Sequence, residues 1–309
     1  MVEVDKDTVC DWLDRAGRHC RAVTTYLFDT WHITECQGDA LWSFVRKKEA
    51  HLTAAEKVLA LYGDAWGWIA FVPPWRLVAA FVVGKRDQEH ANILLKRLHA
   101  VSCGYIPFFT SDQLPHSAHA LLQVYGIPEV LLRIPGKRGP QATPKRLPPA
   151  DLHYAQVVKH RKGGRVVEVT TKIIVGSEAA VQARLAASTV SQTINTSFVA
   201  RNNLTCRQCK GRLARKVLSF SKELTWLEKP LWLSLAYYHF VLAHDSLSQR
   251  LSAPQPTRGS GSPKRWQPIT PAMAAGITDH VWTMEELLSY RVPPDFRDQL
   301  DRQATNVTS

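Results

Sequence analysis

Apolar positions follow two rhythms along this chain, short near-continuous runs and stripes three or four residues apart, and their order predicts a mixed α/β protein. Three runs, Ile33 to Val45, Ala65 to Val72 and Arg76 to Val83, read as the strands of an antiparallel meander, the last one bounded by Pro73-Pro74 and Gly84. Asp87 to Leu98 has helical spacing through Ala91, Leu94, Leu95 and Leu98. Tyr105 to Thr110 is a short apolar strand ending at Ser111-Asp112, and a helix from Leu114 or Pro115 to Tyr125 is closed by Gly126. Leu152 to Lys159 and Arg165 to Val175, joined across Gly163-Gly164, predict a hairpin. Helices are expected at Glu178 to Ser188, Phe198 to Ser219 and Leu231 to Leu242. A Ser/Pro/Gly-rich linker, Ser252 to Pro263, then precedes a tail helix at Thr283 to Tyr290. At the N-terminus, Asp7-Thr8 caps a stripe of Val9, Trp12, Leu13 and Ala16 that ends near Gly17. This is either the second helix of a helix-turn-helix or an ordinary amphipathic helix.

With 309 residues, 45% of them hydrophobic, the chain has enough apolar surface for one substantial core or two smaller ones, which excludes disorder throughout. No apolar run approaches the roughly 20 residues that span a bilayer. Met1-Val2-Glu3-Val4 lacks the basic start and apolar stretch of a signal peptide, so a cytoplasmic location is expected. There the six cysteines stay as thiols. Cys206 and Cys209 form the one Cys-x-x-Cys pair, with no second pair or histidines at zinc-ligand spacing, and read as packing residues.

A net charge of +12 points to a polyanionic partner, because each Lys or Arg that displaces a condensed counterion from a nucleic-acid backbone gains the entropy of its release. The charge is concentrated. Arg133 to Arg165 holds nine basic residues against the single acid Asp151, and Arg201 to Lys222 holds seven basic residues and no acid.

The segment from Asn195 to Gln208 reads Asn-Thr-Ser-Phe-Val-Ala-Arg-Asn-Asn-Leu-Thr-Cys-Arg-Gln. It resembles the last catalytic helix of bacterial insertion-sequence transposases of the IS-one type, whose pattern is Thr-Ser-Phe-Val-Glu-Arg-x-Asn-Leu-Thr-x-Arg-Gln. Ala236 to Leu247, with Tyr237-Tyr238, and Ile269 to Trp282 resemble that family's later segments, so the likeness runs from about residue 5 to 290. The resemblance implies a ribonuclease-H-like mixed sheet flanked by helices at 31–250. A short helical remnant of a helix-turn-helix region would lie at 1–30, and a linker with a helical tail at 251–309. It also implies a homo-oligomer that binds double-stranded DNA, both element ends and target, and cuts and joins strands with Mg²⁺ or Mn²⁺.

Such phosphoryl transfer places two metal ions between about three carboxylates brought together from separate elements. Asp39, in Gly38-Asp39-Ala40-Leu41-Trp42, stands where the family has the Asp of Asp-Glu-Leu-Trp. On the residues alone, an Asp inside an apolar run is unfavourable without a partner or a metal, though a strand-end Asp is the plainer alternative. Asp112, in Thr110-Ser111-Asp112, matches the second position and also suits a helix N-cap. Asp64, in Gly63-Asp64-Ala65-Trp66, reads as a solvated turn residue, and Val72 stands where many relatives carry an Asp. The third position is Ala200, which has no ligand to offer. Arg207, two turns on, would contact DNA phosphate along with Arg201, Asn203, Arg212, Arg215 and Lys216. The expectation is a transposase impaired in this copy, with a catalytically inactive DNA-binding or regulatory protein as the alternative.

Overall fold

The computed structural model describes residues 4–28, 31–59, 62–129, 145–213, 218–257, 259 and 261–307. In chain order the elements are α1 (Lys6–Leu27), β1 (Glu35–Val45), α2 (Ala54–Leu59), β2 (Gly63–Val72), β3 (Leu77–Gly84), α3 (Gln88–Val101), β4 (Phe108–Asp112) and α4 (Pro115–Tyr125). A small ladder of β5 (Ile127–Pro128) and β6 (Arg146–Leu147) precedes the hairpin of β7 (Tyr154–Lys162) and β8 (Arg165–Val175). Then come α5 (Glu178–Ala187), α6 (Ser197–Cys209), α7 (Thr225–Ala236), β9 (Gln249–Gln255), β10 (Lys264–Gln267), α8 (Pro271–Ala274), α9 (Met284–Ser289) and α10 (Pro294–Val307).

Six strands form one mixed sheet in the order β3-β2-β1-β4-β7-β8. β1, β2 and β3 are antiparallel neighbours, whereas β4 runs parallel to β1 and β7 parallel to β4. Parallel pairing of β1 with β4 requires a crossover, which β2, β3 and α3 supply. β2 and β3 are buried on both faces and accordingly read as continuous apolar runs, not as alternating ones.

Alternation along β1 divides two cores. Cys36 faces a cluster with Trp68, Ala70, Val72, Leu94, Leu98, Phe109 and Leu121 under α3 and α4. Leu41 and Val45 face a second cluster with Ile69, Phe71, Phe81 and Val199 under α6 and α7. α7 serves both, through Leu227, Leu231 and Leu235 in the second and Ala236 in the first. After α7 the backbone widens into a π-turn, Tyr237–Val241, which carries the fully buried Phe240 into the first cluster. The buried His239 accepts the Val78 N–H at Nε2, and burial pushes its pKa down to about 3.

Several boundaries differ from the sequence reading. The N-terminal helix does not stop at Gly17 but continues to Leu27. Gly17 is a point of close approach: a β-carbon there would lie 2.8 Å from the Lys229 carbonyl oxygen and 2.9 Å from the Lys229 Cβ on α7. The buried stripe of α1 (Gly17, Cys20, Val23 and Thr24) therefore packs α1 into the body of the fold, against α7, α9 and α10.

The helix expected at Phe198 to Ser219 ends at Cys209, and a 3₁₀ turn at Gly211–Leu213 follows. α7 starts earlier than expected because Pro230 sits inside it. Proline cannot donate to the carbonyl four residues back. That carbonyl, Trp226 O, instead accepts from Arg212 Nη1 at 2.9 Å and Ser221 Oγ at 3.3 Å. The expected linker overlaps strand β9, which forms an exposed two-stranded ribbon with β10, and Pro254 sits where the register between them shifts. The β7–β8 hairpin turns through Gly163 and Gly164, both at positive φ, and from His160 to Lys172 it projects as an exposed, largely basic arm. Of the basic segment expected from Arg133 to Arg165, residues 133–144 lie outside the described residues, and the rest contributes β6, β7 and the hairpin turn. Among the described residues no helix is long and apolar enough to cross a membrane.

Gly17→Ala should destabilise the protein by about 1–3 kcal/mol, reversing the gain of up to about 1 kcal/mol that Gly→Ala brings in an open helix. Urea denaturation of the parent and the variant checks this. A variant more stable than the parent would show that α1 and α7 can move apart freely.

Candidate functional site

Gly38 and Ser111 are partners across β1 and β4, so Asp39 and Asp112 stand one step further along the same two central strands. In a parallel pair, residues in register point to the same face, and neighbouring backbones lie about 4.8 Å apart. The two carboxylates therefore sit side by side on the face covered by α6, where β4 ends and β1 continues.

The N-terminus of α6 is positioned by Gln37, two residues before Asp39 and on the same face. Gln37 is buried; its Nε2 donates to Asn195 Oδ1 at 3.1 Å and its Oε1 accepts the Val199 N–H at 3.0 Å. This satisfies a backbone donor that the first turn of a helix leaves without a partner. Thr196 precedes the helix, yet its hydroxyl does not cap it and instead donates to Asp112 Oδ1 at 2.7 Å. Two turns on, the buried Asn203 donates from Nδ2 to Asp39 Oδ2 at 2.7 Å, and Asp39 Oδ1 accepts the Ala40 N–H at 2.7 Å. From β7, Lys159 Nζ lies 2.9 and 2.7 Å from the two Asp112 oxygens.

Ala200 is exposed, one turn after Thr196 and one turn before Asn203, between the residues that hold the two carboxylates. Loss of solvent raises the Asp39 pKa above the ordinary carboxylate value, and the neighbouring Asp112 charge adds to the rise. The Ala40 N–H, the Lys159 ammonium and the Asn203 amide oppose it.

The remaining expected site residues fall elsewhere. Val72 is buried in the first cluster, on the opposite face of the sheet from Asp39, so a carboxylate there would enter an apolar core and not the site. Asp64 lies five residues along β2 from Ile69, the partner of Asp39, or about 17 Å away. It is not the turn residue expected but lies near the start of β2, paired with Phe44, and its Oδ1 accepts the Glu49 N–H at 3.0 Å. Asn203 is buried with its Nδ2 on Asp39, and Arg212 is half-buried against the Trp226 carbonyl. Arg201 is exposed and Arg207 half-buried on α6, while Arg215 and Lys216 lie outside the described residues. Cys206 packs half-buried against the second cluster.

Gln37, Thr196 and Lys159 were not singled out from sequence as site residues. The first two were legible in principle, Gln37 two positions before Asp39 on one strand face and Thr196 one turn before Ala200. Lys159 becomes visible only once the Asp112–Val157 pairing is known.

Two adjacent carboxylates with a hydroxyl between them and α6 suit one hard cation. Among the described residues no group of three or more His, Cys, Asp and Glu side chains is placed to hold a metal ion, and the Lys159 ammonium already neutralises Asp112. The donor set fits one Mg²⁺ or Mn²⁺ in competition with Lys159. It does not fit the full complement of two. Compared with known protein families, with curated proteins and with solved structures, the chain matches none.

Two outcomes are expected. Because folding raises the Asp39 pKa, the folded state holds that proton more tightly than the unfolded chain. Stability should therefore fall as pH rises through and above the carboxylate range. Asp39→Asn should accordingly be more stable than the parent at pH 7, with the difference vanishing near pH 3; thermal melts across that range check it. Lys159→Met should tighten Mn²⁺ binding at least about tenfold by freeing both Asp112 oxygens, as measured by the free Mn²⁺ signal in an electron paramagnetic resonance titration.

Proposed function

We propose that this chain is a ribonuclease-H-like transposase of the insertion-sequence type that binds duplex DNA and is impaired in strand cleavage because Ala200 fills the third carboxylate position. The observation that carries this reading is the pairing of Asp39 with Asp112 on the central parallel strands, with the exposed Ala200 methyl between the two residues that hold them. The strand order adds support: an antiparallel meander followed by two strands added in parallel is the order expected of that fold.

Mg²⁺ or Mn²⁺ held by Asp39, Asp112 and the Thr196 hydroxyl would supply Lewis-acid polarisation of a phosphodiester oxygen and of the attacking water. The chain does the rest. Asn203 fixes the rotamer of Asp39, and Gln37 keeps α6 at the distance at which Thr196 reaches Asp112. Lys159, once displaced from Asp112, offers its ammonium to a phosphate oxygen. Arg201 and the basic arm, with Arg161, Lys162, Arg165 and Lys172, supply the charge that follows a DNA backbone. The second reading is a DNA-binding protein without chemistry, and the Lys159–Asp112 ion pair favours it, since it neutralises one of the two carboxylates without metal.

Nicking of supercoiled plasmid in Mn²⁺ distinguishes the two. The parent should be feeble, Ala200→Glu about tenfold or more faster, and the gain lost when Asp112→Asn is added. Robust cleavage by the parent that Asp112→Asn abolishes would overturn the impaired-copy reading. Failure of the chain to bind duplex DNA at low salt would overturn the transposase reading as a whole.

A further inference from the structure

Where β1 and β2 outrun the end of β4, the face of the sheet opposite the carboxylates carries a row of aromatic side chains. Trp42 and Trp66 are direct partners across the two strands, and Phe44 follows with its ring 5.8 Å from that of Trp42. Cations lie over these rings: the Arg86 guanidinium is 4.7 Å from the Trp66 ring centre, the Arg46 guanidinium 4.7 Å from Tyr62, and the Lys48 ammonium 5.8 Å from Trp42.

Beside Trp66 the surface opens into a cleft of about 460 Å³, lined among others by Tyr62, Trp66, Lys57, Lys85 and Arg86. Glu49 and Asp64 also line it, but each carboxylate is engaged by the other's backbone: Asp64 Oδ1 accepts the Glu49 N–H, and Glu49 Oε2 accepts the Asp64 N–H at 3.3 Å. Lys57, Lys85 and Arg86 are exposed; Lys85 Nζ holds the Tyr62 and Asp64 carbonyl oxygens at a long 3.5 Å and Glu49 Oε2 at 3.9 Å, contacts that a phosphate oxygen can replace. Pockets that enclose small ligands span about 300–1,000 Å³, so the cleft has room for one nucleotide. Flat rings beside exposed cations are also what a flexible polyanion with planar bases requires.

We infer that this cleft binds one unpaired nucleotide of a DNA strand, its base stacked on Trp66 in the place of the Arg86 guanidinium and its phosphate held by Arg86, Lys85 and Lys57. The site is separate from the carboxylate pair: Trp66 is three residues along β2 from Ile69, about 10 Å, and on the other face of the sheet. The interior of a duplex does not fill it, because each base there is covered on both faces by its neighbours. The inference rests on the transposase reading and specifies within it a contact for single-stranded DNA.

The test is fluorescence anisotropy with the full chain, using a labelled oligothymidylate of about 12 nucleotides and a blunt duplex of equal length, at several salt concentrations. Trp66→Leu should weaken oligothymidylate binding about tenfold while leaving duplex affinity and the salt dependence unchanged, and Trp66→Phe should recover most of the loss. Arg86→Ala, an exposed position, should lower the slope of log K against log salt for the oligothymidylate by about 0.7. Equal loss of single-strand and duplex binding in Trp66→Leu would mark a damaged fold and overturn the inference. So would a parent that binds duplex but not oligothymidylate, in which case the transposase reading stands. A parent that binds neither removes both.

Discussion

The site depends on one buried amide. Gln37 uses its carbonyl oxygen to take up a backbone N–H in the first turn of α6 and its NH₂ group to hold Asn195, and so ties the helix to the central strand at one register. A buried amide left half satisfied is unfavourable, so the arrangement tolerates little sliding of helix over sheet. Everything that α6 presents to the carboxylates follows from that register: Thr196 at Asp112, Asn203 at Asp39, and Ala200 outward between them. A helix held by apolar contacts alone, such as Val199 in the second cluster, would lie at the same depth but could rotate or shift by a residue.

A second consequence concerns charge. Two carboxylates on adjacent strands repel, and the protein compensates with one ammonium, one amide, one hydroxyl and one backbone N–H. The compensation is unequal. Asp112 bonds the cation directly, whereas Asp39 is bonded only to dipoles and feels Lys159 from further off, too little to offset the loss of solvent that shifts it upward. The pair thus resembles a metal site with a lysine in the position of an ion, set in a fold whose β7–β8 hairpin carries exposed basic side chains.

Much of the sheet was legible in the sequence because its signals were local. Pro115 and Gly126 bracket α4, and Gly163-Gly164 allow the positive φ that the β7–β8 turn requires. The misread positions were those whose role is set by a distant neighbour. Gly17 resembled a helix stop and is a contact with Lys229; the helix expected from Leu231 begins at Thr225, and Pro230 inside it is accommodated because Arg212 and Ser221 take the carbonyl it abandons. The same contact explains why a basic residue counted toward a DNA-binding surface turned out to be half-buried. For the site, Asp39 and Asp112 could be named from sequence, whereas Lys159 and the opposite facing of Val72 emerge only from strand register.

The π-turn after α7 has a consequence for how the chain can vary. A regular helix keeps its apolar stripe on one side, yet α7 supplies Leu227, Leu231 and Leu235 to one cluster and its continuation supplies Phe240 to the other. One extra residue in the turn changes the phase of the stripe and lets a single segment stitch together two cores separated by a sheet. The stretch from Tyr237 to Val241 is therefore counted in length as well as in chemistry. Conservative exchanges within it can be absorbed one at a time, whereas removal of a single residue would rotate Phe240 out of the aromatic stack with Trp282 and uncouple the C-terminal helices from the sheet.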